Sequence, residues 1–129
     1  MRALIAVTLA AVAVSAAAAA DWQPIGENAN GNRIFVDRSS VNSAGGITSV
    51  TFRTELKVPL DMPNGAVTSL RSRMKVNCKD ATAAGVEVVL YLDEAKDQAF
   101  ARNKAPKIEY LKEPAGSSAD LVVKHVCRK

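Results

Sequence analysis

Two neighbouring stretches alternate apolar and polar residues with a period of two, which restricts the chain to a fold built on a half-buried sheet. Across Ile47–Val58, Val50, Phe52, Leu56 and Val58 fall on one face, and Thr51, Arg53, Glu55 and Lys57 on the other. Across Ala66–Cys78, Leu70, Met74, Val76 and Cys78 share one face, and Ser69, Arg71, Arg73, Lys75 and Asn77 the other. A slip of one residue would turn the whole apolar set to water, so the register is well determined. Pro59, Pro63 and Asn64-Gly65 between them predict a loop that no helix or central strand contains, across which the two strands could pair as a hairpin.

The flanking segments extend the sheet. Trp22–Ile25, interrupted by Pro24, reads as an edge strand. Glu27–Asn32 carries turn chemistry, with Asn30-Gly31 its strongest hairpin dipeptide, and Arg33–Asp37 follows as a short strand. The polar cluster Asp37–Ser40 stops that strand, and Val41–Gly46 is a second turn region ending in Gly45-Gly46. Lys79–Gly85 reads as a turn. After it Val86, Val88, Leu90 and Leu92 face inward, with Glu87, Val89 and Tyr91 outward. Asp93–Pro106 suits a surface helical turn and a mobile loop equally: its alanines, Lys96, Gln98 and Arg102 favour helix, but Phe100 is its one large apolar side chain. Lys107–Leu111 predicts a last short strand.

Past the break at Pro114-Ala115-Gly116, Ser117 stands three residues before Asp120, a capping pattern at the start of an apolar run. Leu121, Val122, His125 and Val126 recur at helical spacing, and Lys124, Arg128 and Lys129 place positive charge near the helix's negative end. So short a helix is marginal alone. The only two cysteines, Cys78 and Cys127, lie at the end of a strand and the end of this helix. A bridge between them closes a loop of roughly 50 residues, worth roughly 4 kcal/mol in the chain-entropy model. The fold class is therefore α+β: a small antiparallel β-sheet with a C-terminal α-helix packed on one face and tied by a disulfide.

Compartment agrees with that bridge. Residues 1–20 have the form of a secretory signal peptide: Arg2, an apolar run over Ala3–Val14, and a small-x-small site at Ala18-Ala19-Ala20. The run is shorter than the roughly 20 apolar residues of a membrane span. Cleavage would leave residues 21–129 as one domain beginning at Asp21, with no cysteine at the cleavage site to carry a lipid anchor and no transmembrane segment in the mature chain. Exported cysteines usually pair. The formal net charge of +4 is mildly basic and far from that of a dedicated nucleic-acid binder.

Taken in order, several segments resemble the surface-adhesin protein E family of bacterial exported domains. They are Trp22 after the signal, "FVDRSSV" at Phe35–Val41, "NCKD" around Cys78, "VVLYLDE" around Tyr91, and "EPAGSSADLVVKHVC" at Glu113–Cys127. The family's aromatic near the last strand corresponds to Tyr110. The resemblance implies a small antiparallel sheet with a disulfide-tied C-terminal helix. It also implies adhesion, with extracellular-matrix proteins and plasminogen as the family's partners.

Three function classes follow from the residues. An enzyme would have to use His125, the one histidine, two residues before a paired cysteine; no catalytic residue, cofactor site or metal site is assigned. One histidine and two paired cysteines cannot furnish a zinc site, and Asp93-Glu94-Asp97 lacks calcium-loop spacing. A binding module is favoured by the outward residues of the hairpin and the next strand. Arg53, Lys57, Arg71, Arg73 and Lys75 gather there opposite Glu55 and Glu87, with Tyr91 placed to stack on an arginine. The partner would be an acidic macromolecule, outside the cytoplasm in the periplasm or the extracellular space. A homodimer built on exposed strand edges is the third class.

Overall fold

The computed structural model describes residues 19–128, so nearly all of the export signal predicted over residues 1–20 lies outside the described residues. Seven antiparallel strands form one sheet: β1 (Trp22–Glu27), β2 (Arg33–Asp37), β3 (Asn42–Ala44), β4 (Ile47–Met62), β5 (Gly65–Asn77), β6 (Thr82–Asp93) and β7 (Gln98–Lys104). One helix follows, α1 (Ser118–Val126). The strand order is β1-β2-β4-β5-β6-β7, with β3 also on β4. β2 and β3 share one edge of β4: β2 pairs over Arg33–Val36 and β3 over Asn42–Ala44.

A 3-10 turn, Arg38–Ser40, separates β2 from β3. It leaves the Thr51 N–H of β4 without a strand partner, and Ser40 Oγ accepts from it at 2.8 Å. Gly45 and Gly46 then close β3 onto β4, both at positive φ (59° and 80°), as a two-residue hairpin turn requires.

The expected hairpin forms with the expected faces buried, and its register sets Val50 opposite Met74 and Arg53 opposite Arg71. Even-numbered residues of β4 and β5 face the helix. Val50, Phe52, Met74 and Val76 join Ile34, Val36 and Ala83 beneath Val122 and Val123. The helical stripe packs as expected through Leu121, Val122 and Val126, with Val123 buried as well and His125 half-buried in the last turn.

Ser117 caps the helix, its hydroxyl accepting from Asp120 N at 3.1 Å, and Asp120 Oδ2 accepts from Gly116 N at 2.9 Å. Ser118 Oγ meets Asn28 and Thr54, at 3.0 and 3.3 Å, which pins the helix start to the β1–β2 loop and to β4. Cys78 and Cys127 are bridged with Cα atoms 5.4 Å apart. The Ser117→Ala variant is expected to lose about 1 kcal/mol, as a shift of the denaturant midpoint.

Several expectations are corrected. β4 does not stop at Val58 but runs through Pro59 to Met62. Its ladder with β5 is interrupted between Glu55 and Leu60, so the missing N–H of Pro59 breaks no bond, and Asn32 Oδ1 accepts the Lys57 N–H instead at 3.0 Å. Val58, in that interruption, is 72% exposed and not on the core face. β6 begins at Thr82, inside the predicted turn. Asp93–Pro106 is neither helical turn nor loop throughout: Gln98–Lys104 forms β7, because pairing with β6 outweighs local helix preference. Lys107–Leu111 is no strand but meets the sheet at one bridge, Leu111 to Ala83, leaving Ile108 and Leu111 exposed.

Candidate binding face

Odd-numbered residues of β4 and β5 point away from the helix. Phe35, Arg53, Arg71 and Val89 follow one another across β2, β4, β5 and β6 as direct cross-strand neighbours. Two arginines directly opposed repel each other, and the surroundings must offset that. Glu94, in the turn after β6, does most of it. Arg53 Nε donates to both of its carboxylate oxygens at 3.1 Å, and Arg71 Nη2 lies 3.4 Å from Oε1. Ser69 Oγ donates to the same carboxylate at 3.4 Å.

Aromatic faces supply the rest. The Arg53 guanidinium lies 4.9 Å from the Phe35 ring centroid and 6.0 Å from that of Trp22. Arg71 lies 5.2 Å from Trp22 and 5.4 Å from Tyr91. Each such contact contributes about 0.5–2 kcal/mol, more as it is desolvated. Arg71 Nε is buried without a hydrogen-bond partner among the described residues, so its ring contacts stand in for one.

The helix-free face is thus a covered surface, with arginine stems and rings as its outer layer. Val67, Ser69, Val89 and Tyr91 are all buried beneath or beside it, which corrects the expectation that Val89 and Tyr91 face water. Alternation identifies the face but not what lies over it.

The predicted binding residues separate into groups. Arg53, Arg71 and Tyr91 come together in the stacked cluster. Arg73 and Lys75 lie further along the same face, beside a depression of about 240 Å³ that Ser40, Ser49 and Thr51 also line. Arg73 is 57% exposed and only loosely paired with Glu87, at 3.8 Å. Lys57 stands apart, in a hollow shared with Glu27, Arg33 and Glu55. Sequence reasoning missed Trp22, Phe35 and Glu94 as parts of this face. Glu94 reads as one carboxylate of a solvated acidic turn, whereas Asp93 caps Lys96 N and Asp97 pairs with Arg102, and Glu94 alone turns inward.

Among the described residues, no group of three or more His, Cys, Asp or Glu is arranged to hold a metal ion. His125 lies beside Gln23–Ile25 and Leu121 at the helix–sheet seam. No described helix is long and apolar enough to cross a membrane.

A seven-stranded antiparallel sheet with one disulfide-tied helix defines a small α+β domain. The family model for surface-adhesin protein E matches residues 22–128, and the chain belongs to that family. Crystal form II of Haemophilus influenzae protein E shares the fold with a TM-score of 0.59 at 18% identity, over 89% of this chain and 96% of that one. Another Haemophilus influenzae protein E structure gives 0.56 at 16% identity, over 82% and 83%. Protein E from the non-typeable organism also gives 0.56 at 16%, over 82% and 74%. No curated protein sequence matches significantly.

Proposed function

We propose that this is a non-enzymatic exported binding domain whose helix-free face receives an acidic partner. Extracellular-matrix proteins or other acidic macromolecules are the partner class, and the domain works in the periplasm or outside the cell. The observation that carries the reading is the gathering of Arg53, Arg71, Arg73 and Lys75 on the one sheet face that no helix covers. Membership of a surface-adhesin family supports it.

The cations divide the work. Glu94 and three rings hold Arg53 and Arg71, which give the face its shape. Lys75 has no ion-pair partner among the described residues, and Arg73 has only its loose one, so these two are placed to meet an incoming carboxylate or sulfate.

Exposed charges of this kind weaken as salt rises, because the Debye length falls from about 10 Å at 0.1 M to about 3 Å at 1 M. The test is a pull-down of the mature domain against matrix proteins and anionic polymers at both salt levels. An Arg73→Ser/Lys75→Ser variant leaves the stacked cluster intact. Binding is expected to fall about two- to tenfold in the variant, and further in 1 M salt. Equal binding by variant and parent would sink the basic-face reading.

A further inference from the structure

Asp21 stands one residue ahead of β1, and four bonds fix it against the end of β2. Its backbone N–H donates to Asp37 Oδ1 at 2.9 Å, and its carbonyl accepts from Arg38 N at 2.9 Å. Its carboxylate accepts from Arg38 Nε and Nη2 at 2.9 and 3.1 Å. Asp37 is only 9% exposed, and the same Oδ1 accepts from Ser39 N and Ser39 Oγ at 3.0 and 2.6 Å. Burial opposes ionisation of Asp37, but the hydrogen bonds from Ser39 and Asp21 outweigh it and hold the carboxyl below its ordinary value. Asp37 therefore keeps its charge while having no ion-pair partner among the described residues; Arg71 acts on it only from a distance. Buried charges are ordinarily paired.

We propose that Asp37 is the receptor for the α-ammonium group created when the export signal is removed between Ala20 and Asp21. The inference rests on that cleavage position, which the small-x-small pattern predicts. Hydrolysis of the Ala20–Asp21 peptide bond consumes one water, leaves a carboxylate on Ala20 and frees an amine on Asp21. That amine takes up a proton at neutral pH. The nitrogen already sits 2.9 Å from Asp37 Oδ1, so a neutral hydrogen bond becomes a charge-assisted one without rearrangement. Processing thereby tightens the start of β1. The next residue is Trp22, whose ring lies over Arg53 and Arg71, so the tightened strand start adjoins the binding face.

The charged groups around the new ammonium are Asp37, the Asp21 carboxylate, Arg38 bonded to that carboxylate, and the more distant Arg71. Arg38 neutralises the Asp21 carboxylate, so Asp37 is the charge that raises the amine above its ordinary range of roughly 7.7–8.0. A group raised in the folded state adds stability that is complete below its unfolded pKa and disappears as pH rises through its folded pKa.

Three measurements test this. N-terminal sequencing of the exported full chain is expected to return Asp21 first. The α-amino group of that mature chain, titrated by NMR, is expected about one unit above its ordinary value, which is about tenfold in the folding equilibrium. A chain with one extra N-terminal alanine moves the ammonium away but leaves Asp37 intact. It is expected to be about tenfold less favourably folded at pH 6 and equal to the mature chain above the raised pKa. In the Asp37→Asn background the extra alanine is expected to make no difference. A first residue other than Asp21, an ordinary α-amino value, or an extended chain as stable as the mature one at pH 6 would each overturn the proposal.

Discussion

Removing the disulfide as Cys78→Ala/Cys127→Ala is expected to lower stability by about 2–5 kcal/mol, a large share of the roughly 5–15 kcal/mol of a small domain. The reason lies in what else holds the helix. It has nine residues, too few to persist alone, and its buried side chains are Val122 and Val123. The Ser117 cap and the Ser118 contacts fasten its start, and at its end the one covalent tie is the bridge at the C-cap Cys127, beside the packing of Val126 on the core. The two cysteines are 49 residues apart in sequence, so opening the bridge releases a long loop in the unfolded chain. Loss of the helix would bare Ile34, Val36 and Val76, all fully buried. Urea denaturation of the double variant, which leaves no free thiol, checks this. A midpoint equal to that of the parent would mean that packing alone secures the helix.

How much of this was legible depends on whether the information is local. Period-two alternation identified β4, β5 and their inward faces because one face of each is buried and the other is not. The Ser117 cap and the cysteine pairing were legible because capping and export chemistry leave residue-level marks. β7 was not legible: the residues of Gln98–Lys104 prefer helix, and the strand exists because the edge of β6 is there to pair with. The interruption of β4 around Pro59 hid for the same reason, since it is defined by what β5 and Asn32 do opposite it. On the binding face, alternation placed Arg53 and Arg71 correctly yet implied that they were solvated. Their covering comes from Trp22 on β1, Phe35 on β2 and Glu94 beyond β6, three segments distant in sequence. The family-like segments "FVDRSSV" and "VVLYLDE" carried Phe35, Asp37, Ser40, Tyr91 and Glu94 without revealing what each does.

Glu94 is the residue on which that covering turns, and Glu94→Ala is expected to cost about 2–3 kcal/mol. A fully buried ion pair broken on one side loses roughly 3–5 kcal/mol; here partial exposure lowers the figure. Arg53 is 19% exposed and Glu94 14%, while Arg71 at 36% is screened by solvent and contributes less. Without the carboxylate, Arg53 and Arg71 stay directly opposed across β4 and β5, with ring faces and, for Arg53, the half-exposed Glu55 at 3.4 Å left to hold them. Two consequences distinguish this from ordinary loss of packing. Raising salt to 1 M should recover part of the lost stability, because it screens the exposed repulsion between the arginines. Replacing one arginine at the same time, as Glu94→Ala/Arg53→Met, should cost less than the two single changes added together, since the repulsion is then gone. Trp22, the chain's one tryptophan, reports the local state directly. Its ring lies on both guanidinium groups, so its fluorescence should shift to the red in Glu94→Ala as the stack loosens and water enters. An unchanged emission maximum together with a stability loss below about 0.5 kcal/mol, the size of an ordinary surface substitution, would show that Glu94 is a spectator and that the rings and Glu55 hold the arginines.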